Sequence, residues 1–204
     1  MPSSNSSHIA SAIRNTMLNS EPYEWMHIRE LFSKEYYQKL KSSSPKDIQN
    51  MLVNDFNDTN VMNAVCEKFV DAPKNGDTIQ SIYAFHQTHG MGYTLKPHED
   101  GPSRIFTFTI YLADNDDYPE AGTAVYEVNE DTREYKTVGM MPFLVNSAML
   151  IAPYTKRTWH GVNMLTKDIE RESVVLVFAN HPWEEGKVHY ANWKAGVNVN
   201  HVIQ

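Results

Sequence analysis

The sequence predicts an α+β chain in which a helical layer packs on one outer face of a β-sandwich or closed jelly roll. Three observations carry that expectation. Up to about residue 77 apolar residues recur at helical spacing, from there to residue 182 they alternate or form short strand-length runs, and Asn75-Gly76 marks the change with a turn. With 204 residues, the chain suits one domain able to bury a core without disulfides.

The elements follow in order. Residues 1–20 are rich in Ser and Asn with few large apolar groups, which predicts a loosely held arm. Residues 21–77 read as mainly helical support, opened by an alternating strand at 24–28. Ser33 is placed to cap a helix running through Leu40, with Phe32 and Tyr37 as a hydrophobic staple. Ser44-Pro45 repeats the start signal, a cap followed by proline in the first turn, and the helix it opens offers Ile48, Met51, Leu52 and Phe56 for burial. Val61, Val65 and Phe69 then fall at four-residue intervals on another helix.

Residues 78–182 form the expected jelly-roll core. A strand at 78–86 ends at Gly90-Met91-Gly92, and the next, 93–100, ends at the turn Gly101-Pro102-Ser103. Residues 104–112 alternate, with Phe106, Phe108, Ile110 and Leu112 on the core face and Ile105, Thr107, Thr109 and Tyr111 on the other. A polar loop spans 114–122, and 123–128 with 133–138 read as a hairpin around Asn129-Glu130-Asp131. Strands follow at 147–152 and 172–179. The extension 183–204 carries Trp183, Tyr190 and Trp193, and the sequence leaves open whether it docks on the barrel, covers a site or joins a homodimer interface.

Composition excludes some classes. The net charge is −7 and the basic residues are scattered, which argues against nucleic acid or an anionic membrane as partner. No apolar run reaches the roughly 20 residues of a membrane helix, and the N-terminus lacks the pattern of a signal peptide. A soluble cytoplasmic protein is expected. The single cysteine, Cys66, allows no internal disulfide, fits a reducing compartment and reads as a small buried helix residue.

The stretch with chemistry in it is His98-Glu99-Asp100. On an extended strand His98 and Asp100 share a face, and Glu99 points away. His160, leading into a later strand, is the candidate third ligand. Two imidazoles and one carboxylate on one side of a metal, with the other side open, suit Fe(II). A lone His-x-Asp among nine histidines is a weak signal, but this one ends a strand beside a Gly-Pro turn, at a barrel rim. A helical zinc-protease motif is excluded because Pro102 stands where its second histidine would be. His8, His27, His181, His189 and His201 read as surface or structural residues, whereas His86 and His89, in the loop before the metal strand, are within reach of a substrate. Arg171 and Ser173 share a strand face. Alone, Arg171 reads as a strand-end arginine paired with Glu170 or Glu172; together with His160 and Ser173 it reads as a bidentate carboxylate anchor with a hydroxyl beside it. Tyr111 is either a third donor there or a core tyrosine.

His98-x-Asp100, His160 and Arg171-x-Ser173, in that order through a strand-rich region of about residues 78–180, resemble the Fe(II)/2-oxoglutarate-dependent oxygenases, in particular their small prolyl-hydroxylase-like branch. Gly92-Tyr93 and Ile110-Tyr111-Leu112 are similar to that branch's cosubstrate-side strands. The resemblance implies a double-stranded β-helix, with His98, Asp100 and His160 as iron ligands. It also implies that Arg171 binds the distal carboxylate of 2-oxoglutarate, with Ser173 and Tyr111 assisting. The reaction implied is hydroxylation by dioxygen of a small-molecule or peptidyl substrate, releasing succinate and CO2. The chain departs from the pattern in having Ala121-Gly122 where the branch carries Gly-Gly, and a longer spacing from His160 to Arg171, which makes Lys156 and Arg157 fallback anchors. Asp100 disfavours the related halogenases, where a small residue makes room for halide. Two rivals differ in class: a cupin-like metal dioxygenase or isomerase without 2-oxoglutarate, and a metal-free jelly-roll binding module.

Overall fold

Helices come first along the chain and strands after them. The computed structural model describes residues 4–69, 79–101, 103–153 and 157–181. The helical part holds α1 (Ser4–Asn15), β1 (Trp25–Arg29), α2 (Lys34–Lys41), α3 (Pro45–Phe56) and α4 (Thr59–Lys68). The β part holds β2 (Ser81–His89), β3 (Leu95–His98), β4 (Arg104–Tyr111), β5 (Thr123–Asn129), β6 (Glu134–Met141), β7 (Ser147–Ile151), β8 (His160–Val162) and β9 (Arg171–Ala179). The Asn75-Gly76 turn, Pro102, Lys156 and the extension 183–204 lie outside the described residues. Among those described, no helix is long and apolar enough to cross a membrane.

The strands form two sheets, ordered β1-β7-β4-β9-β2 and β3-β8-β5-β6, with antiparallel pairing throughout. The helices cover the outer face of the larger sheet. Strand β4 sits at its centre, so every residue from Ile105 to Tyr111 is buried. Phe106 and Phe108 meet the helical layer: Phe108 packs edge-on to Phe56 at 5.0 Å between ring centroids, Phe106 lies 5.6 Å from Phe69, and Phe178 of β9 joins both. Truncating such a ring to alanine costs about 3–5 kcal/mol. The opposite face, with Thr107, Thr109 and Tyr111, looks into the space between the sheets.

The caps form as the sequence predicts. Ser33 accepts a hydrogen bond from Tyr36 N, and Ser44 accepts one from Asp47 N with Pro45 behind it. Ile48, Leu52 and Phe56 are buried on α3, while Met51 is half-buried. Cys66 is half-buried against the same core.

Four expectations are corrected. Residues 1–20 are not a loose arm along their length, because Ser4–Asn15 is helical and Ile9, Ala10 and Ile13 are fully buried. That narrow stripe is held by the Arg14 guanidinium, bonded to Glu67 at 2.7 and 3.1 Å and to Asn60 at 3.0 Å. The strand expected at 78–86 runs through His89, since all nine residues of β2 pair with β9, so His86 and His89 lie on a strand and not in a loop. The strand expected at 93–100 shortens to Leu95–His98 and bulges between those residues, where Pro97 offers no N–H to the ladder. Ile105 belongs to the helix-side core rather than to the face of Thr107, because an irregularity between Arg104 and Phe106 shifts the alternation.

Candidate active site

The paired strands β3 and β8 bring the first group together. His98 is the register partner of His160, which in turn faces Val125 of β5. Gly161 permits this, because a Cβ there would stand 2.4 Å from the Leu95 carbonyl oxygen. The imidazole centroids are 4.4 Å apart, and one ligand atom from each of His98, Asp100 and His160 lies within 4.8 Å of the others. In both histidines Nδ1 faces the carbonyl two residues back, Lys96 O at 3.0 Å and Thr158 O at 2.7 Å. A ring that donates from Nδ1 presents the lone pair of Nε2, the form a metal takes. Burial, helped by the neighbouring His160, pushes the His98 pKa down to about 4, so its ring is neutral near pH 7.

Asp100 completes the set from just beyond β3. Burial alone would raise its pKa, but the Arg104 guanidinium, the two imidazoles and the Thr107 hydroxyl outweigh it and hold the carboxyl below its ordinary range. Arg104 Nη1 donates to one carboxylate oxygen at 2.6 Å, and Thr107 Oγ1 donates to the other at 2.7 Å. Neither contact was expected from sequence. The Gly101-Pro102-Ser103 turn could have suggested that Arg104 returns to Asp100, and Arg104 N does bond Gly101 O at 3.0 Å. Glu99 turns outward to Arg157 at 3.6 Å, and Arg157 in turn holds Glu130 at 2.7 Å. Arg157, the fallback anchor, is thus engaged with surface acids.

A second group lies on β4 and β9 of the larger sheet. Val177, Val175 and Ser173 of β9 stand beside Thr107, Thr109 and Tyr111 of β4, and Arg171 follows at the strand's start. Arg171 is 3% exposed. Its Nε donates to Ala121 O at 2.6 Å and its Nη1 to Ser173 Oγ at 3.3 Å, while the guanidinium sits over the rings of Tyr111 and Phe143 at 5.4 and 5.9 Å. Ala121-Gly122 contributes twice, since a Cβ on residue 122 would collide with Met141 O at 2.0 Å and the preceding carbonyl orients the guanidinium. The Tyr111 hydroxyl is directed to Thr123 Oγ1 at 2.7 Å and Met141 O at 3.2 Å, and both its ring and its hydroxyl neighbour Arg171. Among the described residues no carboxylate pairs with Arg171, and burial draws its pKa down. Glu172, the acid proposed for it on local grounds, bonds His86 at 2.8 Å and Lys41 at 2.7 Å instead. This places His86 in an ion-pair network away from the triad.

No family model and no curated protein sequence matches this chain. Solved structures do. A prolyl-4-hydroxylase of Pseudomonas putida aligns over 85% of this chain and 94% of its own, at 10% identity and a TM-score of 0.55. A prolyl hydroxylase of Trichoplax adhaerens, solved with a hypoxia-inducible-factor peptide, aligns over 86% and 90% at 11% identity and 0.50. HygX of Streptomyces hygroscopicus, solved with nickel, 2-oxoglutarate and hygromycin B, aligns over 76% and 82% at 11% identity and 0.51. The likeness establishes the fold: this chain has the double-stranded β-helix of the prolyl hydroxylases and their 2-oxoglutarate-binding relatives.

Proposed function

We propose that the chain is an Fe(II)- and 2-oxoglutarate-dependent oxygenase that hydroxylates an unactivated C–H of an amino acid, peptide side chain or small metabolite, releasing succinate and CO2. One observation supports this reading above the others: a three-donor metal set carried by β3 and β8 and, on β9 of the other sheet, a buried guanidinium with no acid among the described residues both face the space between the sheets. Two neutral imidazoles and one ionised carboxylate fit Fe(II), because they neutralise one of its two charges and leave positions open. When bound, the metal and the 2-oxo acid would supply the chemistry that activates dioxygen, the oxidant of both substrate and 2-oxo acid. The chain's own residues bind, orient and exclude water. His98 and His160 would offer Nε2, with Lys96 O and Thr158 O fixing each ring. Arg104 and Thr107 would fix the Asp100 carboxylate. Arg171 would take the distal carboxylate of 2-oxoglutarate, with Ser173 beside it and Tyr111 as the shelf beneath the guanidinium.

The same geometry weighs against the rivals. A cupin-like enzyme working without 2-oxoglutarate has no use for a buried Arg171 that meets no acid among the described residues, and a metal-free module has none for two imidazoles whose Nδ1 atoms both face carbonyls. A reducing cytoplasmic setting suits both Fe(II) and the single Cys66. The test is succinate release from 2-oxoglutarate by protein supplied with Fe(II), screened across free amino acids, peptides and small metabolites. Turnover should require Fe(II) and vanish in His98→Ala. Succinate formed at the normal rate by that variant would refute the site, and no succinate from the wild type under any condition would refute the reaction.

A further inference from the structure

We infer that His89 is a second donor for the carboxylate that Arg171 binds, an inference that rests on the oxygenase reading and extends it by one residue. The register of β2 and β9 places His89 directly opposite Arg171. Side chains so paired across two antiparallel strands stand about 4.5–5.5 Å apart at Cβ. The same alternation carries Tyr83 and Phe85, which pack with Val175, Val177 and Ala179. His89 therefore faces the interior wall on which Arg171 stands.

Its ring is held in place. The imidazole stacks on Tyr93 with 3.6 Å between centroids and 20° between planes. Tyr93 is itself fixed by the backbone, since its carbonyl accepts from Leu165 N at 2.9 Å and Gly92 N donates to Leu165 O at 2.8 Å. Nδ1 of His89 is nonetheless buried without a hydrogen-bond partner in the described structure. A buried polar atom left unmatched costs free energy and in native proteins calls for an explanation. Here the mismatch sits opposite a buried cation that has no acid among the described residues. A carboxylate placed between them would accept from a His89 Nδ1–H and give the guanidinium an acid beside the Ala121 and Ser173 oxygens it already meets. Burial, and then the charge of Arg171, lower the His89 pKa, so the ring takes part as a neutral N–H donor and not as a second cation. The neighbouring His86 is excluded from this role by its bond to Glu172.

The experiment uses Mn(II)-loaded full-length protein, which keeps the metal site filled without turnover, and titrates it calorimetrically with two ligands. One is 2-oxoglutarate. The other is 2-oxobutyrate, which has the same 2-oxo acid end but no distal carboxylate. His89→Ala should weaken 2-oxoglutarate about 10- to 100-fold, the range for a hydrogen bond to a charged group, and leave 2-oxobutyrate unchanged. His89→Asn, which keeps an N–H donor near the position of Nδ1, should recover part of the loss. Equal losses for both ligands would assign His89 to folding or to the metal end and overturn the inference. Unchanged 2-oxoglutarate affinity in His89→Ala would overturn it while leaving the oxygenase reading intact. A wild-type protein that binds no 2-oxoglutarate would sink both.

Discussion

The two ends of the space between the sheets solve opposite problems. At the triad end the groups that carry the ligating atoms have partners: both Nδ1 atoms face carbonyls, and both Asp100 oxygens accept hydrogen bonds. At the arginine end Arg171 carries a charge with no acid among the described residues, and His89 carries an orphaned Nδ1. On the proposed reading a cation would complete one end and an anion the other, and a ligand with a chelating head and a carboxylate tail would complete both, which favours a 2-oxo dicarboxylate over a simple monoacid. The comparison also separates two kinds of preorganisation. The triad is built by satisfying its outer atoms, whereas the anchor gives a desolvated charge neutral partners and no acid among the described residues.

The largest effect should come from removing that charge. Arg171→Leu is expected to weaken 2-oxoglutarate binding by about 2–5 kcal/mol, the scale for deleting one member of a buried charge pair, or roughly 30-fold to several thousandfold. Mn(II) affinity, measured by calorimetry without 2-oxoglutarate, should stay within about twofold of the wild type, and the metal-free melting temperature should not fall, because the variant buries no unpaired cation. A parallel collapse of Mn(II) affinity would show that the two ends are one unit. Thr107→Val probes the opposite end more gently. It removes one of the two hydrogen bonds on Asp100 while keeping the shape of the side chain, and it should weaken Mn(II) about tenfold, the low end for partners of metal ligands. At saturating Mn(II) its 2-oxoglutarate affinity should match the wild type. The reverse pattern would mean that Thr107 serves the pocket rather than the carboxylate.

How much of this was legible follows from which contacts are local. Period two along a strand suffices to put His98 and Asp100 on one face, and the apolar run after Arg171 suffices to put Ser173 beside it. The layered fold was legible for the same reason, since Ser33, Ser44 and the alternation of 106–112 are local signals that tertiary structure kept. What was hidden depends on pairing. Thr107 reaches Asp100 together with Arg104, three residues away, only because an irregularity before Phe106 changes the parity of β4. No composition rule announces that shift. His89 looked like a loop residue because Gln87, Thr88 and His89 are polar, yet the nine-residue ladder with β9 carries them into the sheet and sets His89 against Arg171. The helix α1 escaped notice because Ile9, Ala10 and Ile13 are a stripe of three among serines and asparagines, and its stability comes from what it packs on rather than from its own propensity.

The smallest predicted effect is a slope. Without ligand, the charged and titratable groups facing His89 are Arg171 from β9 and the stacked Tyr93. Burial and the charge of Arg171 both disfavour the protonated ring, so its folded-state pKa lies below the unfolded value of about 6.5. In the pH interval between those two values the unfolded chain binds more protons than the folded one, and stability rises with pH. Read downward, metal-free wild-type protein should lose unfolding free energy as pH falls from 7 through 6.5 and below. His89→Asn, which cannot titrate there, should lose less over the same interval, by urea unfolding at pH 7.0 and 5.5. Arg171→Leu should also flatten the slope, because the nearby cation contributes to the depression. Identical losses in wild type and His89→Asn would mean that His89 is solvated and free to protonate in the folded state, and would remove the distinction between an end completed by a cation and an end that waits for an anion.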